Sequence, residues 1–176
     1  MKIFLICGKA QSGKNEVANI IKEYYNNVQQ KSVITGFSKY IKLFAKEVLD
    51  WDGKEETKPR DFLQNIGEVS RDIIDNNIFV DRMLDDLLIY QRLVDNVIIC
   101  DIRLKNEIFW IKLNFKDVYV IRVNKNTNNL NEIQKNHNTE IALDKYKKYD
   151  YIIDNNQSKE TLKKQVIDIL KEVDFK

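Results

Sequence analysis

The 176-residue chain has the length of a single globular domain, and it is long enough to bury a hydrophobic core. Its composition, 43% hydrophobic and 32% charged, excludes a disordered chain, and its net charge of +2 gives no reason to expect stable nucleic-acid binding. No apolar run is long enough for a membrane span or a secretory signal, so we expect a cytoplasmic monomer or homodimer. The two cysteines, Cys7 and Cys100, each end an apolar run without metal-ligand spacing, so we expect both to be reduced.

The first unit of the chain reads as a strand, a glycine-rich loop and a helix. Residues 2–7 form a short apolar run rich in β-formers, and apolar residues recur at helical spacing over 17–24. Between them, residues 8–15 have the G-x-x-x-x-G-K spacing of a phosphate-binding P-loop. Glycines let backbone N–H groups turn toward phosphate oxygens, and the helix N-terminus adds positive potential. We therefore expect Lys14 to reach the β- and γ-phosphates of a nucleoside triphosphate. The predicted loop residues are Gly8, Lys9, Ala10, Gln11, Ser12, Gly13, Lys14 and Asn15.

Four further strands are predicted to alternate with helices along the rest of the chain. The strand patterns cover residues 33–37, 96–101, 118–123 and 149–153. Ser38 and Ser158 stand where helix N-caps are expected, and Pro59 lies near the start of a further helix. Apolar positions recur at helical spacing in the second helix, at Ile41, Phe44, Ala45, Val48 and Leu49. In the third helix the side chains expected to face inward are Phe62, Ile66, Val69, Ile73 and Ile74.

This alternation predicts a doubly wound α/β domain with a five-stranded parallel sheet, which binds ligands at the carboxyl ends of its strands. We expect one domain over residues 1–176. The segment 124–138 is mostly Asn, Lys, Gln and Glu. It is either a lid over a site or a solvated connection.

Asp101 ends the almost unbroken apolar run that starts at Asn96, so it is expected on the same rim as the P-loop. It would orient Mg²⁺ directly or through water, or else serve as a helix N-cap or a partner for Arg103. Asn15 stands where many P-loop proteins carry a Ser or Thr hydroxyl for Mg²⁺. Phosphates, water and a carboxylate elsewhere would then hold most of the ion.

Phosphoryl transfer depends on positioning and positive charge, so cationic side chains are candidates for the site. Arginine holds phosphate in a planar fork, whereas lysine acts as a point charge. His137, the only histidine, lies in a polar stretch without a nucleophile pattern, and we assign it no role. The candidate cations are Lys14, Lys42, Arg60, Arg71, Arg103 and Arg122.

Several of these segments together resemble the phage-type deoxynucleoside monophosphate kinases, a branch of the P-loop nucleotide kinases. Residues 8–15 resemble the family's G-K-A-x-S-G-K-D loop, and residues 37–42 resemble F-A-D-P-L-K. Lys58 to Arg71, with Arg60 and Gln64, resembles K-x-R-x-x-L-Q-x-x-G, and residues 101–107 resemble D-x-R-x-x-N-E. Residues 121–123, 137–140 and 149–155 resemble the I-R-V, H-x-S-E and D-Y-x-I-x-N elements.

The resemblance implies transfer of a phosphoryl group from ATP, with Mg²⁺, to a deoxynucleoside monophosphate. It implies a helical acceptor-binding insertion at about 38–95 and a lid at about 124–140. Lys14, Asp101, Arg103 and Arg122 would be catalytic, and Asn15 and Asp101 would face the metal. The implied acceptor-binding residues are Phe37, Ser38, Lys42, Arg60, Gln64 and Arg71.

Other functions remain open at this point. A phosphomevalonate kinase of the P-loop type shares a similar loop, a D-x-R element and a similar closing strand. A nucleotide-binding switch or ATPase would lack an acceptor, but no apolar run followed by Asp-Glu supplies a hydrolytic base. A kinase that has lost activity is a further alternative, because Asn15 departs from the usual metal ligand.

Overall fold

The computed structural model describes residues 1–126 and 142–175. Strands and helices alternate through most of this chain, as the apolar patterns predict. The first half contains β1 (Lys2–Cys7), α1 (Lys14–Asn27), β2 (Ser32–Thr35), α2 (Lys39–Leu49), α3 (Arg60–Ile73) and α4 (Ile78–Tyr90). The second half contains β3 (Asn96–Ile102), α5 (Lys105–Asn114), β4 (Val118–Asn124), β5 (Tyr151–Asp154) and α6 (Lys159–Phe175).

The five strands form one sheet in the order β2-β3-β1-β4-β5, and every neighbouring pair is parallel. The predicted doubly wound five-stranded parallel sheet is therefore confirmed. β1 lies at the centre, where Lys2 pairs with Asn96 of β3 and Ile3 pairs with Val118 of β4. Ile3 to Cys7 are fully buried because both faces of the strand are covered, which matches their apolar composition.

Side chains of β1 alternate between two hydrophobic clusters on opposite faces of the sheet. Ile3 and Leu5 pack with residues of α4 and α5 on one face, and Phe4 and Ile6 pack with α1 and α6 on the other. Strand periodicity of two produces this division. All these strands end at one rim, where the loop after β1, Asp101 near the end of β3 and Arg122 near the end of β4 lie.

The helices α2 and α3 bury less of their apolar surface than their sequences predict. Ile41 and Ala45 are buried, but Val48, Val69 and Ile73 are 54%, 50% and 78% exposed. The expectation that Val69, Ile73 and Ile74 face inward is wrong. α2 and α3 pack on each other beside the sheet, so only a narrow face of each helix reaches the core. Helical periodicity identifies an apolar face but does not specify what covers it.

Two helix-start predictions have different outcomes. Ser158 caps α6, because its Oγ accepts a hydrogen bond from the Thr161 N–H at 3.2 Å. Ser38 occupies the N-cap position of α2, but its hydroxyl makes no capping bond and donates instead to Asp101. Within the described residues, no helix is long and apolar enough to cross a bilayer. Most of the predicted lid, including His137, lies outside the described residues.

Candidate active site

The loop between β1 and α1 has the backbone geometry that its glycines allow. Gly13 has φ +96°, and Gly8, with φ +153°, lies against the Val123 carbonyl. A Cβ on Gly8 would be 2.5 Å from that carbonyl oxygen and 2.6 Å from Ser12 Oγ. The Asn155 side chain donates to the Ser12 carbonyl at 2.9 Å and lies so close to Gly13 that a Cβ there would clash with it. The loop is therefore packed from the β5–α6 side as well as by its own strand.

Lys14, the first residue of α1, folds back over the loop. Its Nζ donates to the carbonyls of Gly8 at 2.7 Å and Lys9 at 2.6 Å. Burial, with the nearby Arg103 guanidinium adding to it, lowers the pKa of Lys14 to about 7. A phosphate anion would favour the charged ammonium and would raise this pKa again. The ammonium is thus held where a P-loop lysine meets phosphate.

A cavity of about 490 Å³ opens beside the loop, a volume in the range of small-molecule sites. Its walls come from the P-loop, the β2–α2 turn, α3, the start of α4 and the end of β3. Among the lining residues are fourteen that the sequence analysis assigns to the site. They are Ala10, Gln11, Ser12, Gly13, Lys14, Asn15, Phe37, Ser38, Lys42, Arg60, Gln64, Arg71, Asp101 and Arg103.

Asp101 binds the turn between β2 and α2. Its Oδ1 accepts the Phe37 N–H at 2.8 Å, and its Oδ2 accepts the Ser38 N–H at 3.0 Å and the Ser38 hydroxyl at 2.6 Å. Gly36 makes this approach possible, since a Cβ there would lie 2.5–2.6 Å from both carboxylate oxygens. The side chain therefore connects the end of β3 to the start of α2.

Few side chains around the cavity could bind a magnesium ion. A carboxylate has about four lone-pair positions, and Asp101 already uses three of them, which leaves one on Oδ1. Asn15 is exposed at the start of α1 and lines the cavity. The described residues contain no group of three or more His, Cys, Asp or Glu side chains suited to a metal. This set fits Mg²⁺ that takes most of its ligands from nucleotide phosphates and water.

The α3 wall of the cavity carries cations already paired with protein groups. Arg60 and Lys58 both contact Glu55, at 2.5 Å and 3.0 Å. The Arg71 guanidinium lies 5.0 Å from the centre of the Phe79 ring and donates to the Gly67 carbonyl at 3.0 Å. Arg71 lines the cavity, so its guanidinium donors that do not bond Gly67 could bind an anion there.

Arg103 follows β3 and interacts electrostatically with two carboxylates. Burial lowers the pKa of Arg103 from its usual value, while Asp101 and Glu107 favour its charged form. Glu107 is itself buried, at 2% exposure, and its Oε2 accepts the N–H groups of Arg103 and Leu104 at 2.7 and 2.9 Å. Burial raises the pKa of Glu107 to about 7, although those two hydrogen bonds oppose the rise.

Arg122 is on the other side of the loop and does not line the cavity. Its guanidinium contacts the Tyr149 hydroxyl at 3.4 Å and Asp144 at 3.7 Å. Lys9 contacts the same Asp144 at 3.3 Å. Lys9, Gly8 and Arg122 are thus separated from the cavity, although Arg122 pairs with Cys7 in the sheet at the base of the loop.

The structure adds wall residues that the sequence analysis did not select, namely Glu55, Glu68, Phe79 and Glu107. Glu107 stands three residues after the helix-capping position Leu104, which is a recognisable capping spacing. No local pattern identifies the others, because each lines the cavity through the packing of its helix or loop. Both cysteines are free, as expected, but Cys100 is only partly buried and lines the cavity, whereas Cys7 is buried.

No protein-family model matches the sequence, and no curated protein shows a significant match. Solved structures share the fold. The Mycobacterium tuberculosis APS kinase CysC, in complex with AMPPNP and APS, is 13% identical with a TM-score of 0.50, and the match covers 97% of each chain. An unliganded sugar kinase from Janibacter sp. HTCC2649 is 11% identical with a TM-score of 0.52, covering 97% of this chain and 95% of that one. The fold is therefore consistent with that of the P-loop kinases.

Proposed function

We propose that this protein is a kinase that transfers the γ-phosphoryl group of ATP to a deoxynucleoside monophosphate. The observation that carries the proposal is the composition of one cavity. Its P-loop side supplies Lys14 and the N-terminus of α1, and its opposite wall supplies Arg60 and Arg71. A site that only hydrolyses ATP can use a further arginine at the γ-phosphate, but it has no second substrate that needs several cations. An acceptor that carries its own phosphate would use the two arginines of this wall together.

In this proposal the P-loop N–H groups and Lys14 hold the β- and γ-phosphates of ATP. Arg60, Arg71 and Arg103 hold the acceptor phosphate, with Lys42 adding positive charge. An oxygen of the acceptor phosphate forms a bond to the γ-phosphorus as the bond from that phosphorus to the β,γ-bridging oxygen breaks, and ADP leaves. The acceptor phosphate is already ionised at neutral pH, so no general base is required.

Lys14 would stabilise the charge that develops on the transferred group. Asn15 and the remaining lone pair of Asp101 would face Mg²⁺, which when bound supplies charge neutralisation at the β- and γ-phosphates. Arg122 would act from the other side of the loop, where it is held by Tyr149 and Asp144.

The acceptor class rests on the sequence resemblance and on the shape of the cavity. Phe37, Ile41, Leu63 and Phe79 give the cavity an apolar part, and Gln64 adds one amide. Such a surface suits a flat base, which stacks on aromatic rings and presents polar edges. The APS kinase of the same fold is solved with AMPPNP and APS together, so a nucleotide and a second substrate can occupy this architecture.

The test is ADP release from ATP and Mg²⁺, measured with each deoxynucleoside monophosphate, each ribonucleoside monophosphate, phosphomevalonate and APS as acceptors. Turnover with one or more deoxynucleotides above the ribonucleotides supports the proposal and identifies the base. Turnover with phosphomevalonate or APS alone would assign the cavity to that acceptor instead. ADP release at the same rate without an acceptor would indicate an ATPase or switch, and no release with any acceptor would indicate a kinase that has lost activity.

A further inference from the structure

Among the described residues, Glu107 is the one buried Asp or Glu, and it lies at the wall of the proposed substrate cavity. Burying a carboxylate costs free energy unless hydrogen bonds and opposite charges offset the loss of water. A residue at the first turn of a helix does not have to accept this cost, since a glutamate in that position usually caps the helix from the surface. The burial of Glu107 therefore calls for a reason beyond capping α5.

The hydrogen bonds of Glu107 identify what its carboxylate holds. One oxygen, Oε2, accepts both the Arg103 N–H and the Leu104 N–H, so the carboxylate fixes two successive peptide groups at the end of β3. The Glu107 N–H in turn donates to Oδ1 of Asn106 at 3.0 Å. Asn106 donates to the side chain of Asn77, the residue that precedes α4, at 3.1 Å. The backbone that carries Arg103 is thus fastened to the starts of two helices.

The charges around Glu107 explain why it holds Arg103 in particular. Arg103 and Arg71 are the cations facing it, and Asp101 is the other carboxylate nearby. The Arg103 guanidinium is attracted by both Asp101 and Glu107. A carboxylate that binds the main chain of an arginine and also attracts its side chain restricts both the position and the direction of the guanidinium.

We propose that Glu107 is a positioning residue, whose buried carboxylate fixes the Arg103 backbone and directs the Arg103 guanidinium toward a phosphate in the cavity. This proposal rests on the proposed function in one respect, namely that Arg103 binds the acceptor phosphate. In this proposal Glu107 affects the acceptor through Arg103 and not through a contact of its own. Its effect on ligand binding should therefore disappear when Arg103 is removed.

The experiment is a double-mutant cycle of Glu107→Leu and Arg103→Ala. Binding of inorganic pyrophosphate is measured by calorimetry with the P-loop saturated by AMPPNP, so that the result does not depend on which acceptor the enzyme uses. Arg103→Ala should weaken binding about 10- to 100-fold, the loss expected for a charge-assisted hydrogen bond. Glu107→Leu should weaken it by a similar factor, and the double variant should bind no worse than Arg103→Ala, since one interaction is lost in all three.

Two further variants separate positioning from stability. Glu107→Gln keeps an oxygen that can accept both N–H groups, so it should restore binding to within about threefold of the wild type. Ser158→Ala removes the cap of α6, a helix that does not border the cavity, and should lower the melting temperature without changing pyrophosphate affinity. If Glu107→Leu does not fold, Glu107→Asp, whose carboxylate is one methylene too short to reach both N–H groups, takes its place.

Non-additive losses with rescue by Gln would support the proposal, whichever acceptor the activity assay identifies. Additive losses in the double variant would overturn it, because Glu107 would then act independently of Arg103. Unchanged pyrophosphate affinity in folded Glu107→Leu, or in Arg103→Ala, would overturn it as well. Failure of every deoxynucleotide as an acceptor would overturn the proposed function but leave the cycle and its outcome intact.

Discussion

The Ser38 hydroxyl donates a 2.6 Å hydrogen bond to Oδ2 of Asp101, which joins the start of α2 to the end of β3. The same carboxylate accepts the N–H groups of Phe37 and Ser38. Phe37 and Ser38 both line the cavity, so the Asp101 side chain determines the position of this wall. A change at the turn should therefore alter binding on the acceptor side more than binding of ATP.

Gly36→Ala tests this relationship directly. The new methyl group would lie 2.5–2.6 Å from both oxygens of Asp101, so the carboxylate or the turn must move. We expect a loss of about 1–3 kcal/mol in the free energy of unfolding, the usual cost of overpacking a tight site. We also expect a higher KM for the acceptor, with the KM for ATP nearly unchanged. Denaturant unfolding and steady-state kinetics measure the two effects.

Gly67→Ala is the matched control for the stability measurement. Gly67 lies within α3, and an added Cβ would meet Arg71 and Ile41 at 3.4 and 3.5 Å, which is ordinary contact. Alanine favours a helix by up to about 1 kcal/mol over glycine, so this variant should be neutral or slightly stabilised. Equal destabilisation of the two glycine variants would contradict the role assigned to the contact between Gly36 and Asp101.

Lys14→Met should remove turnover while leaving the protein folded. The ammonium of Lys14 is held by two loop carbonyls, and methionine preserves the length of the side chain without its charge. Losing one preorganised donor in a transfer site lowers kcat by about 10²–10³-fold, and the loss of a full charge should reach at least that. Lys163→Met, on the far side of α6 beside Glu23, is the matched control. Full turnover in Lys14→Met would refute the assignment of the P-loop.

ATP binding should take up a proton through Lys14. With the pKa of Lys14 lowered to about 7, the free protein carries mostly neutral Lys14 at pH 8 and mostly charged Lys14 at pH 6. Phosphate favours the charged form, so proton uptake should be near one at pH 8 and small at pH 6. Above pH 7, ATP affinity should therefore fall by up to about tenfold per pH unit. Calorimetry in buffers of different ionisation enthalpy measures the uptake. The same uptake in Lys14→Met would show that another group is responsible.

Arg71→Ala should raise the acceptor KM before it affects ATP. The Arg71 guanidinium is placed by its contact with the Phe79 ring and its bond to the Gly67 carbonyl, on the α3 wall of the cavity. Loss of a charge-assisted contact corresponds to about a 10- to 100-fold increase in KM. Arg71→Lys keeps the charge but not the planar fork, so its KM for the acceptor should lie between the values for the wild type and Arg71→Ala. An increase in the KM for ATP alone would place Arg71 on the donor side.

Much of the fold can be predicted because its signals are local. The run from Asn96 to Asp101 marks a buried strand by composition alone, and the spacing from Gly8 to Lys14 defines a strand-to-helix turn. A strand that ends in a carboxylate also predicts where Asp101 lies, because all parallel strands end at one rim. Which atoms that carboxylate binds could not be predicted, since its partners come from a turn more than sixty residues earlier.

Side-chain exposure and ion pairing likewise cannot be predicted from local sequence. Ile73 and Val69 follow the helical period, yet whether they are covered depends on the packing of α2 and α3 beside the sheet. Glu55 reaches Arg60 and Lys58 from an irregular segment that has no periodic signal. Asp144 joins Lys9 to Arg122 across the chain from a position that no motif identifies. In each case the determining contact is tertiary, and sequence spacing does not encode it.

The central place of β1 has a consequence for biosynthesis. Its hydrogen-bonded neighbours are β3 and β4. The pairs Lys2–Asn96 and Ile3–Val118 therefore cannot form until those later strands have been synthesised. Pairing across such long sequence separations is slow, because loop closure costs entropy before any contact repays it. During synthesis the phosphate-binding loop emerges before β3 and β4, and the sheet around it is incomplete until β4 has emerged. A chain that stops before Val118 would leave β1 without its β4 partner, and that unpaired apolar edge would be prone to aggregation.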